Sequence, residues 1–144
     1  MTASPNFPQA LSALPQWVCW RLEDDKKSER KAKVPYQPLT GKRASSSNPQ
    51  HWGTLQDALY GMQKYLFTGI GFVFTQDSGI VGLDVDNCLD ENGKPNEVAA
   101  DIIAHIPPTY TEITPSDRGL HFFLKGMDCR SPLSFRMSMN LWLV

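Results

Sequence analysis

Two aspartates stand one residue apart in the apolar run Gly82-Leu83-Asp84-Val85-Asp86. A carboxylate buried in a core strand is costly unless something pairs with it. If the run is a strand, its period of two puts Asp84 and Asp86 on one face and Leu83 and Val85 on the other, toward the core. Carboxylates held side by side repel, and a hard divalent cation relieves that repulsion. Mg²⁺ takes oxygen ligands, typically one or two carboxylates together with substrate phosphates. A solvated edge strand with two exposed acids accounts for the same spacing, and the D-x-D pattern alone does not choose between them. A calcium loop does not fit. Counted from Asp84, Leu89 falls where glycine is required and Pro95 where glutamate is required; counted from Asp86, Glu91 takes the glycine position.

The second constellation is Ser116-Asp117-Arg118-Gly119-Leu120-His121. Leu120, Phe122 and Leu124 alternate with His121, Phe123 and Lys125, so the imidazole and the ammonium share a strand face. A turn carrying Ser116, Arg118 and Gly119 delivers that strand. A hydroxyl, a guanidinium, a close-approaching backbone and an imidazole suit a triphosphate. A tight turn with a packed histidine fits the same residues. His51 and His105 have no such company and read as structural.

These groups need elements to hold them. Residues 17–23 (WVCWRLE) are aromatic and β-branched and read as a first strand. A charged loop follows, then an extended turn in VPYQPLTGK and a further loop, ASSSNPQHW. Leu55, Ala58, Leu59, Met62 and Leu66 mark one face of a helix over 54–66, with Thr54 and Asp57 at capping-box spacing. GIGFVF (69–74), TQDSG and IVGLDVD (80–86) predict a β-hairpin. A second helix over 96–106 has Asn96 as its cap and Ile102, Ile103 and Ile106 inward. Strands at 109–114 and 120–125 flank the turn PSDRG. Helices alternating with mostly antiparallel strands argue an α+β fold with helices packed on a sheet.

The chain's 144 residues suffice for one domain with a core of its own, and 41% hydrophobic content reads as globular. No apolar run approaches the ~20 residues that span a bilayer, and the first residues do not read as a secretion signal. Cys19, Cys88 and Cys129 are scattered and form no C-x-x-C pair, which argues against zinc and disulfides and for reduced thiols in a cytoplasm. The net charge is −1, yet seven basic residues and one acid fall between Lys26 and Arg43. A basic segment beside an acidic body suits an anionic partner near a cation site; a solvated charged loop explains it equally.

In order along the chain stand WVCWRLE, KVPYQPLTGK, the tryptophan of HWGTLQDAL, GIGFVF, GLDVD and YTEITPSDRGLHFF. This succession resembles the N-terminal primase-polymerase domain of phage and plasmid replication proteins, in the archaeo-eukaryotic primase superfamily. The resemblance covers roughly residues 14–126. It implies an RRM-like α+β catalytic core, a mostly antiparallel sheet with packed helices and an N-terminal α/β extension. It also implies a DNA-directed nucleotidyltransferase of phage or mobile-element origin working in a bacterial host cytoplasm. The family's metal-binding D-x-D falls on Asp84 and Asp86, which would hold Mg²⁺ or Mn²⁺. Its nucleotide-contacting S-x-x-G-x-H falls on Ser116, Gly119 and His121, with Arg118 beside them. Asp84, Asp86 and His121 are thereby the expected catalytic residues. The basic K-x-P segment falls on Lys33, with Lys42 and Arg43 following, as the expected contacts to nucleic acid. Implied partners are nucleoside triphosphates, a single-stranded DNA template and a helicase domain or replication protein, with no membrane.

The family also carries a third acidic ligand on a strand after the histidine strand. Here no acid follows Asp128. The expectation is therefore a primase-polymerase-like domain over 1–126 and a divergent apolar tail over 127–144, a C-terminally truncated relative with weakened or lost catalysis. The alternative is a catalytically inactive, primase-like module that binds nucleic acid or protein, or inhibits a host machine. The tail residues Leu133, Phe135, Met137, Met139, Leu141, Trp142, Leu143 and Val144 would complete the core or support self-association.

Overall fold

The computed structural model describes residues 7–125 and 142–143. It has mixed helices and antiparallel sheets, an α+β fold, and it divides into two compact units. The first holds the described residues up to Val73 together with the short strand at 142–143; the second begins at Phe74.

The first unit is built on a four-stranded sheet. Helix α1 (Gln9–Ser12) leads into β1 (Trp17–Asp24), which pairs antiparallel with β2 (Lys31–Tyr36). Helix α2 (Leu55–Lys64) follows, then β3 (Gly69–Phe72), which pairs antiparallel with β1 and with β7 (Trp142–Leu143). The first half of β1 is fully buried: Trp17, Val18 and Cys19 are at 0% exposure, and aromatic Phe7 and Phe72 pack on Trp17. Helix α2 starts where the sequence puts it. Thr54 Oγ1 accepts from Asp57 N–H and the Asp57 carboxylate accepts from Thr54 N–H, a complete capping box. The helix packs close to the segment before it: a Cβ at Gly61 would lie 2.4 Å from the Pro38 carbonyl oxygen.

Among the described residues, the second unit holds a three-stranded antiparallel sheet and one α-helix. Its order is β4 (Ile80–Val85), β6 (Leu120–Lys125), β5 (Thr111–Ile113). Helix α3 (Glu97–His105), capped by Asn96 through Ala99 N–H, connects β4 to β5. Cys88, Leu89, Ala99, Leu120 and Phe122 form its core, with Leu83, Val85, Ile102 and Ile106 packed against them. Leu83 and Val85 therefore face inward, as the strand period requires.

Four expectations are corrected. The predicted hairpin of 69–74 with 80–86 does not form: β3 pairs in one sheet and β4 in the other. The segment read as an extended turn from Val34 supplies the end of β2, whose start lies inside the charged loop. Ile103 is 45% exposed, so α3 turns only Ile102 and Ile106 toward the core. Leu66 lies past the end of α2, left-handed at φ 55° and 86% exposed. The expected tail positions Leu133, Phe135, Met137, Met139, Leu141 and Val144, with Asp128 and Cys129, lie outside the described residues. Among the described residues, no helix is long and apolar enough to cross a membrane.

Candidate nucleotide and metal site

Strand pairing decides which polar groups meet. In β4–β6 the register sets Asp84 opposite His121, and in β5–β6 it sets Glu112 opposite the same His121. Directly opposed residues of antiparallel strands share a face. The sheet face turned away from α3 thus carries the row Asp84–His121–Glu112. His121 is buried at 7% exposure, and its Nε2 lies 3.4 Å from Oδ1 of the partly exposed Asp84. On the far side Glu112 accepts a 2.7 Å hydrogen bond from the Tyr110 hydroxyl. Burial, then that hydrogen bond, then the charge of Glu112 raise the Tyr110 phenol well above its ordinary range.

Asp86 departs from expectation. β4 ends at Val85, so Asp86 stands in the turn beyond it and strand alternation no longer dictates its direction. Asn87 follows in the left-handed region at φ 49°. Both carboxylates nevertheless act on one neighbour. Burial pushes the Cys88 thiol up, and the negative charges of Asp84 and Asp86 push it further.

The Ser116–Gly119 turn arrives at the same end of the sheet. Val85 pairs with Leu120, and a Cβ at Gly119 would lie 2.9 Å from the Val85 carbonyl oxygen and 3.0 Å from Thr114 Oγ1. Only glycine lets the turn close that tightly on β4. Thr114 organises the turn: its Oγ1 accepts from Gly119 N–H at 3.0 Å and lies 2.9 Å from Ser116 Oγ. Arg118 ties the turn to the loop after Asp86, since its carbonyl accepts from Leu89 N–H at 3.0 Å. Arg118 also lines a concavity of about 430 Å³, together with Asp90, Glu91 and Asp117.

The basic residues lie in the first unit and do not form one patch. Lys33 Nζ sits 4.8 Å from the Trp20 ring centroid, on one face of the four-stranded sheet. Arg43 pairs with Glu23, whose carboxylate also accepts from the Tyr36 hydroxyl, and Glu23 belongs to the opposite face. Lys42 is exposed on the Thr40–Lys42 turn.

A hard divalent cation needs several oxygens. Among the described residues, no group of three His, Cys, Asp or Glu side chains converges on a point that a metal could occupy. Any cation at the end of β4 would have to draw most of its oxygens from outside the described side chains. The neighbour of His121 that the residue types did not single out is Glu112. The signal was the pairing of TEI with LHF across a short turn, which fixes Glu112 beside His121 once register is assigned.

No family model matches the chain. Over 119 residues it is 42% identical to the DNA primase-polymerase of Nitratiruptor phage NrS-1, an alignment covering 82% of this chain and 16% of that relative's length. With the α+β fold and the motif order, that similarity shows the chain to carry a primase-polymerase-like domain.

Proposed function

We propose that this domain binds a nucleoside triphosphate with Mg²⁺ or Mn²⁺ on a single-stranded DNA template and serves template-directed nucleotidyl transfer. The observation that carries the reading is the 3.4 Å approach of His121 to Asp84, at the end of the sheet where the Gly119 turn closes on β4. Asp84, with Asp86 from the adjoining turn, offers anionic oxygens to a cation. A bound divalent ion would neutralise phosphate charge and activate the attacking hydroxyl. His121 donates to a phosphate oxygen from a buried, strand-fixed position. Ser116 and the backbone of the turn line the approach, and Gly119 lets that backbone come close. In the replication setting the domain acts beside a helicase domain or another replication protein.

Calorimetry tests this. Mn²⁺ is expected to bind weakly alone and more tightly with a nucleoside triphosphate, whose phosphates complete the oxygen shell. Asp84→Asn/Asp86→Asn removes the enhancement, and His121→Ala weakens nucleotide binding. Equal Mn²⁺ and nucleotide affinity in wild type and the double variant refutes the assignment. A second reading, a binding module without catalysis, shares the nucleotide and nucleic-acid binding and differs only in giving no primer extension.

A further inference from the structure

Two segments of the first unit meet around Tyr65. Its hydroxyl donates to the Leu39 carbonyl at 3.0 Å, and its ring covers Gly41, where a Cβ would stand 2.8 Å from the ring. The Thr40–Lys42 turn is thereby clamped onto the C-terminal end of α2. Lys64 Nζ lies 5.1 Å from the Tyr65 centroid and 5.7 Å from that of Tyr60. The same two segments expose three large apolar side chains: Leu39 at 62%, Tyr60 at 63% and Leu66 at 86%.

Leu66 is the informative member. Phe67 N–H bonds to the Met62 carbonyl at 3.0 Å, so α2 ends in a Schellman motif with Leu66 at its left-handed position. Glycine is the residue that position favours. Here it holds a large apolar side chain, strained and almost wholly in solvent, which folding alone does not reward. Segments 37–43 and 60–67 contain Lys42, Arg43 and Lys64 and no Asp or Glu.

We propose that this surface is a platform for single-stranded nucleic acid. Lys42 and Lys64 meet backbone phosphates, the Tyr60 ring stacks on a base, and Leu66 wedges beside it. Lysines interleaved with an exposed aromatic ring suit a strand that presents alternating charge and π-faces, and no carboxylate in either segment opposes it. The proposal takes its ligand class from the reading above but places the strand on residues outside the metal and nucleotide site.

The test is fluorescence anisotropy of labelled dT20 without metal or nucleotide, across a salt series. Tyr60→Leu keeps apolar bulk and is expected to weaken binding at least about fivefold through lost stacking. Lys42→Gln/Lys64→Gln is expected to reduce the salt slope by about 1.4, about 0.7 per phosphate contact. Leu66→Gly relieves the left-handed strain, so it is expected to raise the thermal midpoint while weakening dT20 binding. That pairing separates a binding role from a structural one. Unchanged dT20 affinity in both Tyr60→Leu and Leu66→Gly overturns the proposal. Metal and nucleotide binding at Asp84 is measured separately, so failure here leaves that reading intact.

Discussion

His121 sits between two carboxylates, and only one of them was evident from residue types. Asp84 announces itself, because an acid in an apolar run demands an explanation. Glu112 does not, because TEI is an ordinary strand sequence until register puts it opposite His121. Its effect is measurable through Tyr110. The ordinary phenol value is 10.0, and burial with the Glu112 contact holds Tyr110 above it. The neutral phenol is favoured in the folded state, so this contribution to stability is complete below the ordinary tyrosine range. It is lost as pH rises through the folded value. Glu112→Gln keeps an acceptor for the hydroxyl but removes the charge. The Tyr110 titration, followed by phenolate absorbance against wild type, is expected to move down toward the ordinary value. Superimposable titrations would detach Glu112 from Tyr110.

At the scale of elements, local signals were legible where the chemistry is local. The Thr54–Asp57 box and the Asn96 cap are satisfied within a few residues of chain, and both helices begin where those caps stand. The 120–125 strand was equally clear from its alternation. Partner choice was not. GIGF and IVGLDV are both strand sequences separated by a turn, yet β3 adds to β1 and β4 adds to β6. Nothing in either segment encodes which edge it will join, since main-chain hydrogen bonding is the same on every edge. The charged KKSERK stretch hid the start of β2 for a related reason: Lys31 and Lys33 are acceptable on a strand whose polar side chains reach solvent. The β4–β6 end depends most on Gly119. Gly119→Ala sets a methyl group against the Val85 carbonyl and Thr114, and overpacking of this kind costs about 1–3 kcal/mol. Urea unfolding is expected to show that loss, with a parallel drop in nucleotide affinity because the turn moves off β4. An unchanged midpoint would mean that the turn adjusts freely and does not set the site's geometry.

At the scale of the whole molecule, the proposed function rests on how many acids reach one point. Two-metal phosphoryl transfer needs carboxylates that bridge and flank ions about 3.5–4 Å apart. The end of β4 supplies Asp84 from the strand and Asp86 from the turn beyond it, and the described residues bring no third metal-ligating group to that point. Glu112 is on the same face but is engaged by Tyr110, with His121 between it and Asp84. On the proposed reading, the described residues offer one ion, bound with a nucleotide, its protein oxygens, and they offer none to a second ion at the attacking hydroxyl. A missing second ion would be felt at the step where charge develops, which is where a preorganised ion contributes most. The expected outcome is that the purified 144-residue chain binds Mn²⁺ and nucleotide together but extends a primer far more slowly than its long phage relative, or not at all. Primer extension and dinucleotide synthesis with Mn²⁺, run side by side on both proteins, decide it. Brisk synthesis by this chain, abolished by Asp84→Ala, would overturn the expectation and direct the search for the missing acid to Asp128 or to a second copy of the chain.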